Sequence, residues 1–310
     1  MDNLKTKSQS VLSSFQFASF DTAHLKAIYL YSWHMSSSEG MQSKNRPSLP
    51  SINRAEPSIE VKSSTVTHPT SATLDKNLSA RTSPVFLNFS FYKVDPKWRW
   101  LNELGKEEAA KEFTSLIEVA NTKMKVRIYS TLGLREDSEF MLWMISESVE
   151  KMQVFTSKVY LTVFGKYIES SKVYLSSYRP SLYSRKTEMV PGYLLDHNEK
   201  ENAPMKYVIV YPFVKSREWY LLPFEDRMQM MEEHITVGRK FPQVRINTSY
   251  SFGIGDQDFM LAFETNDLML FQDLIVQLRE TRVSRYVIKD TPMMVCIYKG
   301  GVEEFIKSLG

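Results

Sequence analysis

The strongest constraint on the fold is an internal repeat, since the order strand, helix, strand, strand, helix, strand occurs twice along the chain. Alternating apolar residues predict the strands, and apolar residues spaced three or four apart predict the helices. In the first copy we predict strands at 85–94, 125–134, 140–146 and 172–180, with helices at 100–123 and 149–168. In the second copy we predict strands at 207–214, 244–251, 258–265 and 292–299, with helices at 222–238, 268–282 and 301–309.

Each copy has the element order of a ferredoxin-like unit, in which helices cover one face of an antiparallel sheet. The other apolar face must also be hidden, so the two sheets are expected to pack together or to curl into a barrel. The sequence therefore predicts an α+β protein of tandem ferredoxin-like repeats that form a fold of the dimeric α+β barrel type. We place an N-terminal domain at 83–200 and a C-terminal domain at 206–310.

Residues 1–82 show no sustained periodicity, and 17 of them are Ser and seven are Thr. Such a segment cannot bury enough apolar surface to offset the entropy of ordering, so we predict a disordered extension. Its many hydroxyl side chains and few acids are typical of an organellar transit peptide. The alternatives are a linker, or a start codon assigned too far upstream, with Met35 and Met41 as internal candidates.

The composition excludes several classes of function. A net charge of +3 over 310 residues offers no concentrated basic face for a nucleic acid. The single cysteine, Cys296, excludes a disulfide framework and a cysteine-based metal cluster within one chain. No apolar run approaches the roughly 20 residues of a membrane span. We expect a soluble protein that is cytoplasmic or, if residues 1–82 are a transit peptide, organellar.

Histidine is the scarcest of the reactive side chains after cysteine, and only His197 and His234 follow the extension. His234 lies in the last turn of the helix predicted at 222–238, where the helix dipole ordinarily stabilises a histidine. The alternative is that its neutral imidazole is a single axial ligand, which suits haem because the porphyrin supplies the other four donors. The apolar face of this helix is expected to pack on the sheet through Met228, Met231 and Ile235.

Polar and aromatic residues that suit an anionic porphyrin occur in the same half of the chain. Those able to bind carboxylates through charge-assisted hydrogen bonds are Lys215, Arg279, Arg282 and Ser284. Those able to line an aromatic pocket or to carry a radical are Tyr211, Trp219 and Tyr220. Each has an ordinary role as well, because strand tyrosines usually pack and charges at helix ends usually meet water or the dipole. Only the combination indicates a site.

The segment 207–241 resembles the C-terminal half of the chlorite dismutase family, and the matching pieces are YPFVK, EWYLLPFEDR, EEH and VGR. The next segment, SYSFGIGDQDFMLAFET, resembles the same half. The first half is similar to the family at GLREDSEFMLWM and FGKYIESSKVYLSSYRPSLY. The resemblance covers about 84–300 and leaves out the extension. It implies tandem ferredoxin-like domains that close into an α+β barrel, haem b or iron-coproporphyrin III in the C-terminal domain, and homo-oligomers, often pentamers.

Two activities divide that family. Chlorite dismutases split chlorite into chloride and dioxygen, whereas coproheme decarboxylases use hydrogen peroxide to convert two propionates of iron-coproporphyrin III to vinyl groups, which gives haem b. The resemblance places His234 at the proximal iron ligand of both. Tyr211 and Lys215 match the Y-P-x-x-K of the decarboxylases, whose Tyr carries a radical and whose Lys contacts a propionate. Arg279 and Ser284 match their propionate-binding Arg and Ser.

Two departures from the family pattern bear on the choice. Chlorite-splitting members place an Arg over the distal face of the haem and most decarboxylases a Gln, but counting back from Gly253 puts Ile246 there. An alignment shifted by one residue would substitute Arg245 or Asn247 and select the other face of the strand. Chlorite dismutases also bond a Glu to the proximal His, where this chain has Val283. Both departures favour a peroxide-dependent coproheme decarboxylase; the alternatives are a haem b peroxidase, a chlorite dismutase-like enzyme and a non-catalytic haem carrier.

Overall fold

The computed structural model describes residues 84–183 and 203–310, so the predicted extension and His197 lie outside the described residues. The elements of the first copy are β1 Phe86–Val94, α1 Glu103–Asn121, β2 Lys125–Ser130, β3 Phe140–Ser146, α2 Val149–Leu161 and β4 Ile168–Ser177. Both helices are shorter than predicted, because the short 3-10 helices Pro96–Trp100 and Phe164–Tyr167 take up their flanks. The Asn102 side chain accepts a hydrogen bond from the Gly105 amide and begins α1, as an N-cap does.

The second copy repeats this order with three additions, which are two short helices and one short strand. Its elements are β5 Tyr207–Lys215, α3 Arg217–Leu221, α4 Phe224–Gly238, β6 Arg245–Tyr250, β7 Phe259–Thr265, α5 Leu268–Arg279, β8 Val287–Lys289, β9 Met294–Ile297 and α6 Val302–Lys307. The short helix α3 and the three-residue strand β8 were not predicted. The other elements agree with the sequence in type and order, so the α+β prediction is confirmed.

Eight strands close into a barrel in the order β7-β6-β4-β1-β3-β2-β9-β5, because β5 also pairs with β7. The strands of each copy are neighbours, and the two seams between the copies are the single pairs Ser130–Ile297 and Ser177–Tyr250. The domain limits at 83–200 and 206–310 stay a prediction. Within 84–183 and 203–310, no helix is both long and apolar enough to cross a membrane.

Aromatic and aliphatic side chains fill most of the barrel interior, among them Phe89 and Trp143, whose rings stack 5.3 Å apart. One part of the interior is ionic. The fully buried carboxylate of Glu264 lies 3.2 Å from Arg127 of the first copy and 3.3 Å from Arg245 of the second. The buried ion pair between Arg127 and Glu264 links the two copies. Loss of either partner would destabilise the fold because it would leave a buried charge unpaired.

Candidate functional site

The outer face of strand β5 carries the two residues of the Y-P-x-x-K pattern. Tyr211 and Lys215 are four residues apart, so they share that face about 13 Å from each other along the strand. Tyr211 is 4% exposed and its ring stacks on Phe263 at 5.8 Å, in the cluster that packs under α5. Burial raises the pKa of the Tyr211 phenol, so the hydroxyl stays protonated at neutral pH.

Lys215 has a buried amine that lies against an aromatic ring. Its side chain is 8% exposed, and its Nζ lies 3.5 Å from the centre of the Trp219 ring and 3.8 Å from Met231 Sδ. No ion pair of Lys215 with a carboxylate occurs within the described residues. Burial, helped by the nearby charge of Arg227, lowers the pKa of Lys215 to about 7, although Asp258 acts in the opposite direction.

His234 lies one turn before the end of α4, on the side of the helix that carries Met231 and faces Lys215. Its Nδ1 is buried and has no hydrogen-bond partner in the part of the chain that the structure describes. Burial, followed by the charge of Lys215, lowers the pKa of His234 to about 4, while Glu233 acts to raise it. The imidazole is therefore neutral at physiological pH, and its lone pair is available to a metal.

The donor set around His234 fits an iron porphyrin. Among the described residues, His234 is the only histidine, and no group of three or more His, Cys, Asp or Glu side chains could hold a metal ion. A single imidazole cannot build a zinc site, but it suffices for a metal that the porphyrin already holds. Val283 is buried with Trp219 and Met230, and within the described residues His234 Nδ1 has no carboxylate bonded to it.

Packing of α4 differs from the prediction. Met228, Met231 and Ile235 are only half-buried, and the buried residue of this helix is Met230. The prediction that those three pack on the sheet is wrong, because α4 lies mainly against α5 and the segment 282–286. The contact of this helix with β5 is a polar one, since Met231 Sδ lies 3.8 Å from Lys215 Nζ.

Arg279 and Ser284 lie together at the C-terminal end of α5. The Arg279 guanidinium is 61% exposed and bonds the Asp290 carboxylate at 2.9 Å. The Ser284 hydroxyl donates to the carbonyl oxygens of both Arg279 and Thr281, each 2.7 Å from its Oγ. Asp290 and Arg279 both affect the pKa of Tyr211, which places this pair near the phenol. The structure thus groups Tyr211 with Arg279 and Ser284, and Lys215 with Trp219 and His234.

Strand register settles which residue of β6 faces α4. Ile246 is 40% exposed, and its Cδ1 would lie 3.7 Å from a Cβ placed on Gly238, at the end of α4. Arg245 and Asn247 point to the other side of the strand, into the barrel, where both bond Glu264. The side chain on the His234 side is therefore Ile246, although its role above a porphyrin stays a prediction.

Sequence reasoning assigned no role to Arg227, which the structure brings into the site. Its Nε is buried without a partner within 84–183 and 203–310, and its Nη1 lies 3.4 Å from the Tyr183 hydroxyl. Arg227, Met231 and His234 follow one another at spacings of four and three, so they share one face of α4. The sequence offered two signals for Arg227, which are its helical spacing from His234 and its place in the EDR of the quoted motif.

Without a ligand, protonation of His234 is expected to destabilise the fold. Because folding lowers its pKa from 6.5 to about 4, the unfolded chain binds more protons in that window. The free energy of unfolding should fall as the pH drops from 6.5 to 4, by at most about 3 kcal/mol from this group. Urea unfolding of the ligand-free protein at several pH values measures it. An equal slope in the His234→Phe variant would contradict the assignment.

Comparisons with known proteins bear on the family and the fold. The family profile described as chlorite dismutase matches residues 106–299. A coproheme decarboxylase from Mycolicibacterium smegmatis is 33% identical over 217 residues, which cover 67% of this chain and 87% of that protein. A chlorite dismutase from Ideonella dechloratans is 27% identical over 208 residues, covering 66% of this chain and 73% of that protein. A chlorite dismutase from Candidatus Nitrospira defluvii, solved with imidazole, has the same fold, with a TM-score of 0.64 and 22% identity over 76% of this chain and 98% of that one.

Proposed function

Because the chain belongs to the chlorite dismutase family, we propose that it is a peroxide-dependent coproheme decarboxylase, which makes haem b from iron-coproporphyrin III. The observation that carries this proposal is the outer face of β5. A protonated Tyr211 lies there. Lys215 lies farther along the same face, is buried, forms no ion pair within the described residues and faces the side of α4 that bears the neutral His234. The identity with a coproheme decarboxylase supports the same choice. Assembly into a homo-oligomer, with a pentamer favoured, is part of the proposal.

The overall chemistry balances for each propionate that reacts. The propionic acid side chain loses its carboxyl group as carbon dioxide and one hydrogen from its β-carbon, which leaves a vinyl group. Two electrons and two protons pass to one hydrogen peroxide, which becomes two water molecules. The iron porphyrin is the substrate and also supplies the means of activating peroxide, while the protein supplies position and electrostatics.

Tyr211 is proposed to remove the hydrogen from the β-carbon. Since burial keeps its phenol protonated, oxidation of Tyr211 releases an electron and a proton together, and the residue can then take one hydrogen atom back. Its stacking on Phe263 holds the ring in place. A fixed ring matters because a misplacement of about 1 Å can cost on the order of a hundredfold in rate.

His234, Lys215, Arg279 and Ser284 are proposed to hold the substrate, with Trp219 against it. His234 would bind the iron, since its imidazole is neutral. A carboxylate bound at Lys215 would keep that amine protonated by offsetting the burial that lowers its pKa. Arg279 retains guanidinium donors beyond the one that bonds Asp290, whereas Ser284 would have to turn its hydroxyl away from two carbonyl groups.

Mass spectrometry of the porphyrin tests the proposal directly. The protein is incubated with iron-coproporphyrin III and hydrogen peroxide, and the expected products carry one and then two vinyl groups. Oxygen release from chlorite would instead favour a chlorite dismutase-like enzyme, which the apolar Ile246 disfavours because it cannot polarise a bound oxyanion. Oxidation of a peroxidase dye by the haem b complex, without decarboxylation, would indicate a haem b peroxidase. A stable haem spectrum without turnover would indicate a carrier.

A further inference from the structure

Two basic side chains share the site, and within the described residues neither forms an ion pair with a carboxylate. Lys215 Nζ contacts the Trp219 ring and Met231 Sδ, and Arg227 has a buried Nε with no partner in the described part of the chain. The Tyr183 hydroxyl, 3.4 Å from Arg227 Nη1, is neutral. A buried guanidinium nitrogen that lacks an acceptor is costly, and a bound anion would supply one.

Arg227 lies on the side of α4 that bears His234, and Lys215 of β5 faces that side. Arg227 and His234 are seven residues apart, which is two turns of helix and about 10 Å of axial rise. Met231 lies between them on the same face, and its sulfur touches Lys215. The charge of Arg227 also contributes to the lowered pKa of Lys215, which is consistent with their closeness.

The acidic residues in the neighbourhood are engaged elsewhere. Asp258 Oδ2 accepts hydrogen bonds from the Lys215 backbone amide at 2.9 Å and from the Tyr220 hydroxyl at 2.7 Å. Glu233 is on α4 next to His234, but its carboxylate bonds the Arg282 guanidinium at 2.7 Å. Among the described residues neither Lys215 nor Arg227 forms an ion pair, so a carboxylate of a ligand could accept hydrogen bonds from both.

We propose that Arg227 and Lys215 together bind one of the carboxylates that the reaction removes, so that the protein retains the tetracarboxylate substrate and releases the dicarboxylate product. This inference rests on the proposed function. When that carboxylate leaves as carbon dioxide, an uncharged vinyl group faces the Lys215 amine and the Arg227 guanidinium, and the charge-assisted hydrogen bonds are lost. Charge thus distinguishes substrate from product at this position, in addition to shape.

Equilibrium binding without peroxide tests the inference apart from turnover. The haem absorbance band is titrated with iron-coproporphyrin III and with haem b, for the wild type and the Arg227→Gln variant. The wild type should bind iron-coproporphyrin III more tightly by about tenfold to a hundredfold, the range of one or two charge-assisted hydrogen bonds. Arg227→Gln should lose about tenfold in affinity for iron-coproporphyrin III and less than about twofold for haem b.

Two further variants serve as controls. Arg239→Gln removes an exposed arginine at the other end of the same helix and should leave both affinities unchanged. Arg227→Lys keeps the positive charge and should restore part of the preference, which also guards against misfolding of the Gln variant. Equal weakening of both porphyrins in Arg227→Gln, or no weakening of either, would overturn the inference. Decarboxylation by the wild type, measured separately, decides the proposed function.

Discussion

Replacing His234 by alanine is expected to abolish tight binding of iron porphyrins and to leave binding of metal-free coproporphyrin unchanged. His234 is the only histidine of the described residues, and its imidazole is neutral because burial lowers the pKa to about 4. Loss of an outer-shell partner alone costs about 10- to 100-fold in metal affinity, so loss of the ligand itself should cost more than 100-fold. Titration of the haem absorbance band measures the effect.

Metal-free coproporphyrin is the control within this experiment, because it keeps the four carboxylates and lacks the iron. Added imidazole should restore iron porphyrin binding to His234→Ala by filling the space of the missing side chain. The Met228→Leu variant, on the same helix and also half-buried, should behave like the wild type. An unchanged haem spectrum in His234→Ala would show that the iron is held elsewhere or that binding is non-specific.

The Tyr211→Phe variant is expected to bind iron-coproporphyrin III normally and to lose decarboxylation. The substitution keeps the ring that stacks on Phe263 and removes only the hydroxyl, so packing of the cluster under α5 should survive. A positioned group that moves a hydrogen commonly contributes about 10²- to 10⁴-fold, and we expect a loss in that range. The rate of vinyl formation under peroxide measures it.

Tyr207→Phe is the matched control for that loss. Tyr207 begins the same strand and shares the face of Tyr211, but it is four residues farther from Lys215. It should keep the wild-type rate of vinyl formation. A Tyr211→Phe variant that decarboxylates at the wild-type rate would remove Tyr211 from the mechanism, even if the overall activity stands.

Much of the fold could be predicted from the sequence because its elements are periodic and repeated. Strand β3 has the predicted limits, 140–146, since its apolar run is bounded on both sides by polar residues. The strand β8 was missed because three residues at Val287–Lys289 are too few to show a period. The observed helix ends differ from the predicted ones because capping side chains such as Asn102 determine where a helix begins. The spacing of apolar residues carries no information about such caps.

The candidate site was predictable only in part, for reasons of side-chain direction and charge. The Y-P-x-x-K resemblance singled out Tyr211 and Lys215, but the strand was predicted to end at 214, and only the structure places both residues on one face of β5. The face of Ile246 required the strand register, because a shift of one residue exchanges the two sides of β6. Arg227 was missed because a charged helix residue is ordinarily expected in solvent, and its buried Nε becomes visible only in three dimensions.

The packing of α4 shows a further limit of periodicity. The apolar stripe of a helix usually predicts the side that meets a sheet. Here the buried residue is Met230, which packs with Trp219 and Val283, while the side near the strands carries His234. An apolar pattern alone cannot tell a helix that packs on a sheet from one that borders a ligand site.

The mass of the porphyrin before and after peroxide tests the central claim most directly. The wild type is loaded with iron-coproporphyrin III and sampled over time after peroxide addition, with a peroxide-free sample and a protein-free sample alongside. We expect a porphyrin that has lost one carbon dioxide and two hydrogens, then one that has lost twice as much, with two peroxides consumed in all. Unchanged iron-coproporphyrin III, or a porphyrin degraded without vinyl products, would contradict the account.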